Sequence, residues 1–153
     1  MASTLVIQLT GLPTIYNVTY AVGLGQANRR TDVLLVQTLL KMAEVMTLSG
    51  GLPGGSTGHI KVDGYYGPQT QGYITAFQQT MALVEKKLIS QDKIVSPSSK
   101  DGYTKSGWLY TIVHLNRAAK DRDSSAYKRI PFEPETPPEL RTALMGPPEV
   151  FNP

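Results

Sequence analysis

His59 and His114 are the only two imidazoles in a chain of 153 residues that has no cysteine. Any metal or nucleophilic chemistry must therefore be built around them or from carboxylates alone. Zinc needs three or four N, S or O ligands converging on one point. The sequence has no His-Glu-x-x-His segment, and no pair of acidic residues is placed with a histidine. Glycoside hydrolysis needs two carboxyl groups roughly 5–9 Å apart. Asp63 belongs to an Asp-Gly turn, and Glu85, Asp92 and Asp101 sit in solvated polar segments, so no pair stands out. A Gly-x-Ser-x-Gly nucleophile elbow is also missing. The glycine-rich run from Leu52 to Gly58 is not followed by Gly-Lys-Ser/Thr and reads as a loop, not a phosphate cradle. His114, beside Ile112 and Val113, reads as a packing residue. These residues support neither catalysis nor a bound cofactor or metal.

The elements around them follow from apolar periodicity. Thr4–Thr10 and Thr14–Val22 are rich in β-branched and aromatic residues and are broken by Gly11-Leu12-Pro13, which predicts a β-hairpin arm over residues 1–22. Such an arm is marginal alone and must pack on a body or on another strand. Thr31 and Asp32 are candidate caps for a first helix whose stripe is Val33, Val36, Leu40 and Ala43. Asp63-Gly64 predicts a tight turn, and Gly67-Pro68 opens a second helix carrying Ile74, Phe77, Met81 and Val84. A third helix runs from about residue 107 to 119 with Leu109, Ile112 and Val113 on one face. The sequence shows no internal repeat. Residues 131–153 hold seven of the eleven prolines, which predicts an extended tail without its own core, with at most one short turn at Glu139–Leu144.

Charge divides along the same lines. Residues 131–153 carry Arg141 against four glutamates, a net −3, while the remaining 130 residues carry +6. A basic body suits an anionic partner, although a solvated surface has the same composition. A nucleic-acid reading rests on charge alone, with no binding motif. The first eight residues lack the basic flank and apolar core of a signal peptide, and no run approaches the roughly 20 apolar residues of a membrane span. The expectation is synthesis in a bacterial cytoplasm, no membrane contact, and a final location in a virion or injection-machine particle.

Three segments in order carry a resemblance: Val33–Leu40, Val62–Thr70 and Ala76–Gln79. They resemble the helical peptidoglycan-binding domain family, with its V-x-x-L-Q-x-x-L helix, D-G-x-[FY]-G-x-x-T turn and second helix ending in A-V-x-x-F-Q. On that resemblance Val36, Gln37 and Leu40 fill the first-helix positions. Asp63, Gly64, Tyr66, Gly67 and Thr70 fill the turn, and Phe77 and Gln78 close the second helix. The family usually has a further Asp-Gly turn before its last helix. Here Lys93–Pro97 is the remnant, an insertion follows through Gly107, and Asp101-Gly102-Tyr103 is a possible shifted copy. The motif is mostly structural: Gln37 and Gln78 read as buried amides that bond loop backbone.

The expected fold is therefore mainly α: a three-helix peptidoglycan-binding-like domain over residues 23–120, the β arm over 1–22, and a charged then proline-rich extended tail over 121–153. Two functions follow. One is a non-catalytic assembly component of a phage tail, baseplate or contractile injection machine. It would meet other subunits through the arm and the tail, with Phe132, Leu144, Met145, Val150 and Phe151 as anchors. The other is a stand-alone wall-binding module that targets a partner hydrolase or machine. Its contacts would be the cations Arg29, Arg30 and Lys61 and the rings of Tyr65, Tyr73, Tyr103 and Trp108.

Overall fold

The computed structural model describes residues 1–7, 9, 11–47, 50–51, 53 and 59–148. Most of the glycine-rich segment, and the expected anchors Val150 and Phe151, lie outside the described residues.

The first helix, α1 (Arg30–Met42), is buried on almost every side: Val33, Leu34, Leu35, Val36, Leu39 and Leu40 are all fully enclosed. A helix that is apolar around most of its circumference must be surrounded. Among the described residues four other helices and two small antiparallel sheets complete the fold, and most of them pack on α1. Strands β1 (Ser3–Val6) and β2 (Thr14–Asn17) form the predicted hairpin, with Leu5 opposite Ile15 on its buried face. Strand β3 (Val22–Gly23) pairs with β4 (Ile94–Val95). Helices α2 (Pro68–Leu83) and α3 (Thr111–Arg122) pack on α1, and α4 (Ser124–Lys128) follows α3 almost directly. The architecture is mixed α/β, with 41% of residues helical, where the sequence suggested a mainly α three-helix domain. The difference arises because the strands enter the same core as the helices.

Polar side chains tie the arm to that core. Asp32 does not cap α1; its carboxylate lies fully buried and accepts the backbone N–H groups of Thr19 and Tyr20 at 2.9 and 3.1 Å. Asn116 of α3 acts as a neighbouring strand for β2, accepting from Tyr16 N at 2.8 Å and donating to Tyr16 O at 2.9 Å. The Tyr127 hydroxyl donates to the same amide oxygen at 2.6 Å, and the Tyr16 hydroxyl donates to Tyr127 O at 2.9 Å. Burial pushes the Tyr16 phenol up to about 12 and raises that of Tyr127, so both remain donors.

The tail differs most from expectation. After a short 3-10 turn at Ile130–Phe132, α5 (Pro138–Leu144) packs on α1 and β1. Leu140 is fully buried, and Ala143 and Leu144 nearly so. One hydrophobic cluster contains Leu5 and Ile15 of the arm, α1, and Leu140 and Leu144 of the tail. The three segments are thus one packing unit. Proline did not prevent the helix because Pro138 stands at its first turn, where a missing N–H costs nothing.

Candidate binding surface

Gln37 organises the first turn. It is 1% exposed. Its Oε1 accepts the backbone N–H groups of Asp63 and Gly64 at 3.0 and 2.9 Å. Its Nε2 lies 3.0–3.1 Å from Asp63 Oδ1, Tyr65 O and Thr70 Oγ1. Asp63 Oδ1 also accepts from Tyr65 N at 2.9 Å. Gly64 has φ +78°, a conformation that favours glycine; a Cβ there would press on the Arg30 side chain, which is flexible and can shift. Tyr66, Gly67 and Phe77 complete the segment: Tyr66 is half-buried, Gly67 precedes α2, and Phe77 is buried in the core.

Gln78 repeats the arrangement one helix later. Its Oε1 accepts from Lys93 N at 2.7 Å, and its Nε2 lies 3.0–3.1 Å from Asp92 Oδ1, Ile94 O and Thr111 Oγ1. Asp92 Oδ1 accepts from Ile94 N at 3.0 Å, and Lys93 takes the left-handed conformation of Gly64 with φ 62°. The glutamine-to-threonine separation is 33 residues in both copies. The aspartate falls 26 residues after the glutamine in the first and 14 in the second. The chain thus carries two copies of one hydrogen-bonded unit, where the sequence shows no repeat. Asp92, read from sequence as an ordinary solvated carboxylate, is the pivot of the second.

The second copy has its extra residues between the turn and the threonine, and they fold. Asp101 Oδ1 accepts from Tyr103 N at 3.0 Å, a third turn of the same local type. Tyr103 bridges to Leu109, and Thr104 N donates to Trp108 O at 2.7 Å, forming a tight hairpin closed at Gly107 (φ +80°). Between this hairpin and the Asp92 turn lies a cleft of about 280 Å³, lined by Ser90, Asp92, Ile94, Ser96, Thr104, Ser106, Trp108, Leu109, Tyr110 and Thr111.

The expected wall-contacting residues do not form one surface. Trp108 lines the cleft and is 38% exposed. Tyr103 is exposed but does not line it, and Tyr65 stands 77% exposed at the first turn. Tyr73 is buried in the core and displays no face, because α2 turns it towards α1. Arg29 lies 5.0 Å over the Tyr20 ring. Arg30 is engaged within the chain: its Nε and Nη2 contact Glu139 at 2.5 and 3.1 Å, and its Nη1 donates to Asp63 O at 2.9 Å. The hydrogen bond from Arg30 holds the Glu139 carboxyl below its ordinary range. Lys61 remains exposed. Among the expected tail anchors, Phe132 and Met145 are exposed, whereas Leu144 is buried in its own core and is not available to a partner.

No spacing rule pointed to Ser90, Ser96, Thr104, Ser106, Tyr110 or Thr111. The one signal available was the recurrence of glutamine and threonine at a fixed interval.

His114 is 4% exposed, and its Nε2 lies 3.4 Å from Leu88 O. Desolvation, aided by Arg117 and Lys87, lowers its pKa below 6.5. The folded state therefore takes up the proton less readily than the unfolded chain. Stability contributed by neutral His114 is present above pH 6.5 and is lost as pH falls from 6.5 towards the depressed value. Denaturant melts between pH 7.5 and 5 should show a shallower loss of stability in His114→Gln than in the parent.

Among the described residues no helix is long and apolar enough to cross a membrane. No family model matches the chain, and no curated protein or solved structure was found to be similar to it.

Proposed function

We propose that this chain is a non-catalytic binding module for bacterial cell-wall polymer, with the cleft beside Trp108 as its contact site. The observation that carries this reading is the cleft itself. An inserted hairpin rests against a turn held by a buried glutamine, and it presents a partly exposed indole among hydroxyl-bearing side chains. A concave site with a few polar groups on a rigid frame is the usual form of a binding pocket. Wall polymer is named because the Gln37 and Asp63 segments resemble peptidoglycan-binding domains in sequence. Co-sedimentation with intact sacculi tests the reading: the full chain should bind saturably, and Trp108→Ala should weaken apparent affinity at least tenfold without shifting the melting temperature by more than a few degrees.

A second reading, an assembly subunit of a phage tail or contractile injection machine, is favoured by exposed apolar side chains. Phe132 and Met145 are 68% and 57% exposed, and Leu83, Val84 and Leu88 are exposed near the end of α2. Large apolar groups in solvent are a usual mark of a protein contact when they cluster. This reading no longer draws on a coreless tail, since α5 is packed on α1.

A further inference from the structure

Resting on the wall-binding reading, we infer that the cleft takes a neutral sugar ring of the glycan strand and not the charged stem peptide. The first ground is charge. Among the described residues no lysine or arginine lines the cleft, and the one charged group lining it is Asp92. A ligand carboxylate entering it would leave water to meet a negative group with no compensating cation, which is a net cost. A neutral polyol carries no such penalty.

The second ground is the match of surfaces. Trp108, Leu109 and Ile94 supply apolar area. A pyranose presents one face of C–H groups to such a surface and hydroxyls at its rim. Ser90, Ser96, Ser106 and Tyr110 also line the cleft, and among the described residues none of their hydroxyls has an intramolecular partner. Each can both donate and accept, as sugar hydroxyls require. Asp92 is half-committed: Oδ1 is held by Gln78 and Ile94, and Oδ2 is available as an acceptor. Acceptance by a carboxylate is the stronger kind of hydrogen bond to a neutral hydroxyl.

The third ground is size and origin. About 280 Å³ lies at the lower edge of the range of roughly 300–1,000 Å³ for small-molecule pockets. It suits one ring of a longer strand, held in an open cleft. Comparison of the two glutamine units within the chain shows what made the room. From Asp63 the chain reaches Thr70 in seven positions, with α2 beginning at Pro68. From Asp92 it reaches Thr111 in nineteen, and the added residues form the wall that carries Trp108.

Trp108 is the only tryptophan in the chain, so its fluorescence reports the cleft directly. The full chain should be titrated separately with a neutral β-1,4-linked N-acetylglucosamine tetrasaccharide and with a sugar-free stem pentapeptide. The tetrasaccharide should shift Trp108 emission saturably, and the peptide should leave it unchanged up to the same concentration. Calorimetry with Trp108→Ala should show the tetrasaccharide affinity reduced at least tenfold, and Trp108→Phe should restore most of it. A shift with the peptide alone, or with neither probe, overturns the inference. In either case sacculus binding that persists and is weakened by Trp108→Ala leaves the wall-binding reading standing, and its loss, or its indifference to Trp108→Ala, removes both.

Discussion

Gln37→Leu should lower the stability of this protein by about 2–4 kcal/mol, one of the largest effects of any single polar substitution in the chain. Leucine fills similar space but offers no partner to the N–H groups of Asp63 and Gly64 or to the Tyr65 carbonyl. Each buried group left unpaired costs about 1–3 kcal/mol, and partial rehydration of the exposed Asp63 side reduces the sum. At roughly 2–4 °C per kcal/mol for a domain of this size, the melting temperature should fall by about 5–15 °C. Gln78→Leu should cost a similar amount, because it strips Lys93 N, Ile94 O and Thr111 Oγ1 of the same partner. The two variants then part company. At a temperature where both are folded, Gln78→Leu should lose ligand binding, since its turn forms one side of the cleft, and Gln37→Leu should keep it. Thermal melts with a binding isotherm for each variant check both statements. Loss of binding in Gln37→Leu with retention in Gln78→Leu would mean that the first turn, with exposed Tyr65, is the contact.

Truncation after residue 130 should produce a comparably large fall in melting temperature. It removes Leu140, Ala143 and Leu144 from the core and uncovers the side of α1 they occupy. Leu140→Ala alone should cost about 2–5 kcal/mol, the range for a fully buried leucine whose cavity cannot collapse. The Arg30–Glu139 contact, exposed on both sides, is a minor contributor beside this packing. Melts of the full chain, the 1–130 form and Leu140→Ala decide the matter. Melting temperatures that coincide would show that the tail does not stabilise the domain.

The tail is only partly legible in its sequence. Its prolines argue against a continuous helix, and its apolar residues are too few for a core of its own. Leu140, Ala143 and Leu144 do fall at helical spacing, but the surface that makes them worth burying belongs to α1, over a hundred residues earlier. No local pattern reports that pairing. Elements with local causes were legible: the arm from its β-branched runs, α1 from its stripe, α2 from Gly67-Pro68, and the Asp63-Gly64 turn. Gln37 and Gln78 were legible as buried amides through the resemblance, whose helix motifs both of them fill. The cleft was not. Its second turn could not be matched to Thr111 by spacing, because the loop before Asp92 is short and the insertion after it is long. The two changes cancel only in the glutamine-to-threonine interval. That Tyr73 lies in the core and not on a contact surface is not legible for a simpler reason: a ring at helical spacing carries no label saying which face of the helix is covered.

Residue-level mapping decides whether wall polymer meets this protein at the cleft beside Trp108. Amide and indole NMR shifts of the full chain should be followed as soluble, enzymatically released wall fragments are added. Saturable changes are expected only at residues 90–96 and 104–111, including the Trp108 indole N–H, with Tyr65, Phe132 and Met145 unmoved. Changes centred on Phe132, Met145 or the end of α2, or no change at any fragment concentration, would contradict binding at the cleft.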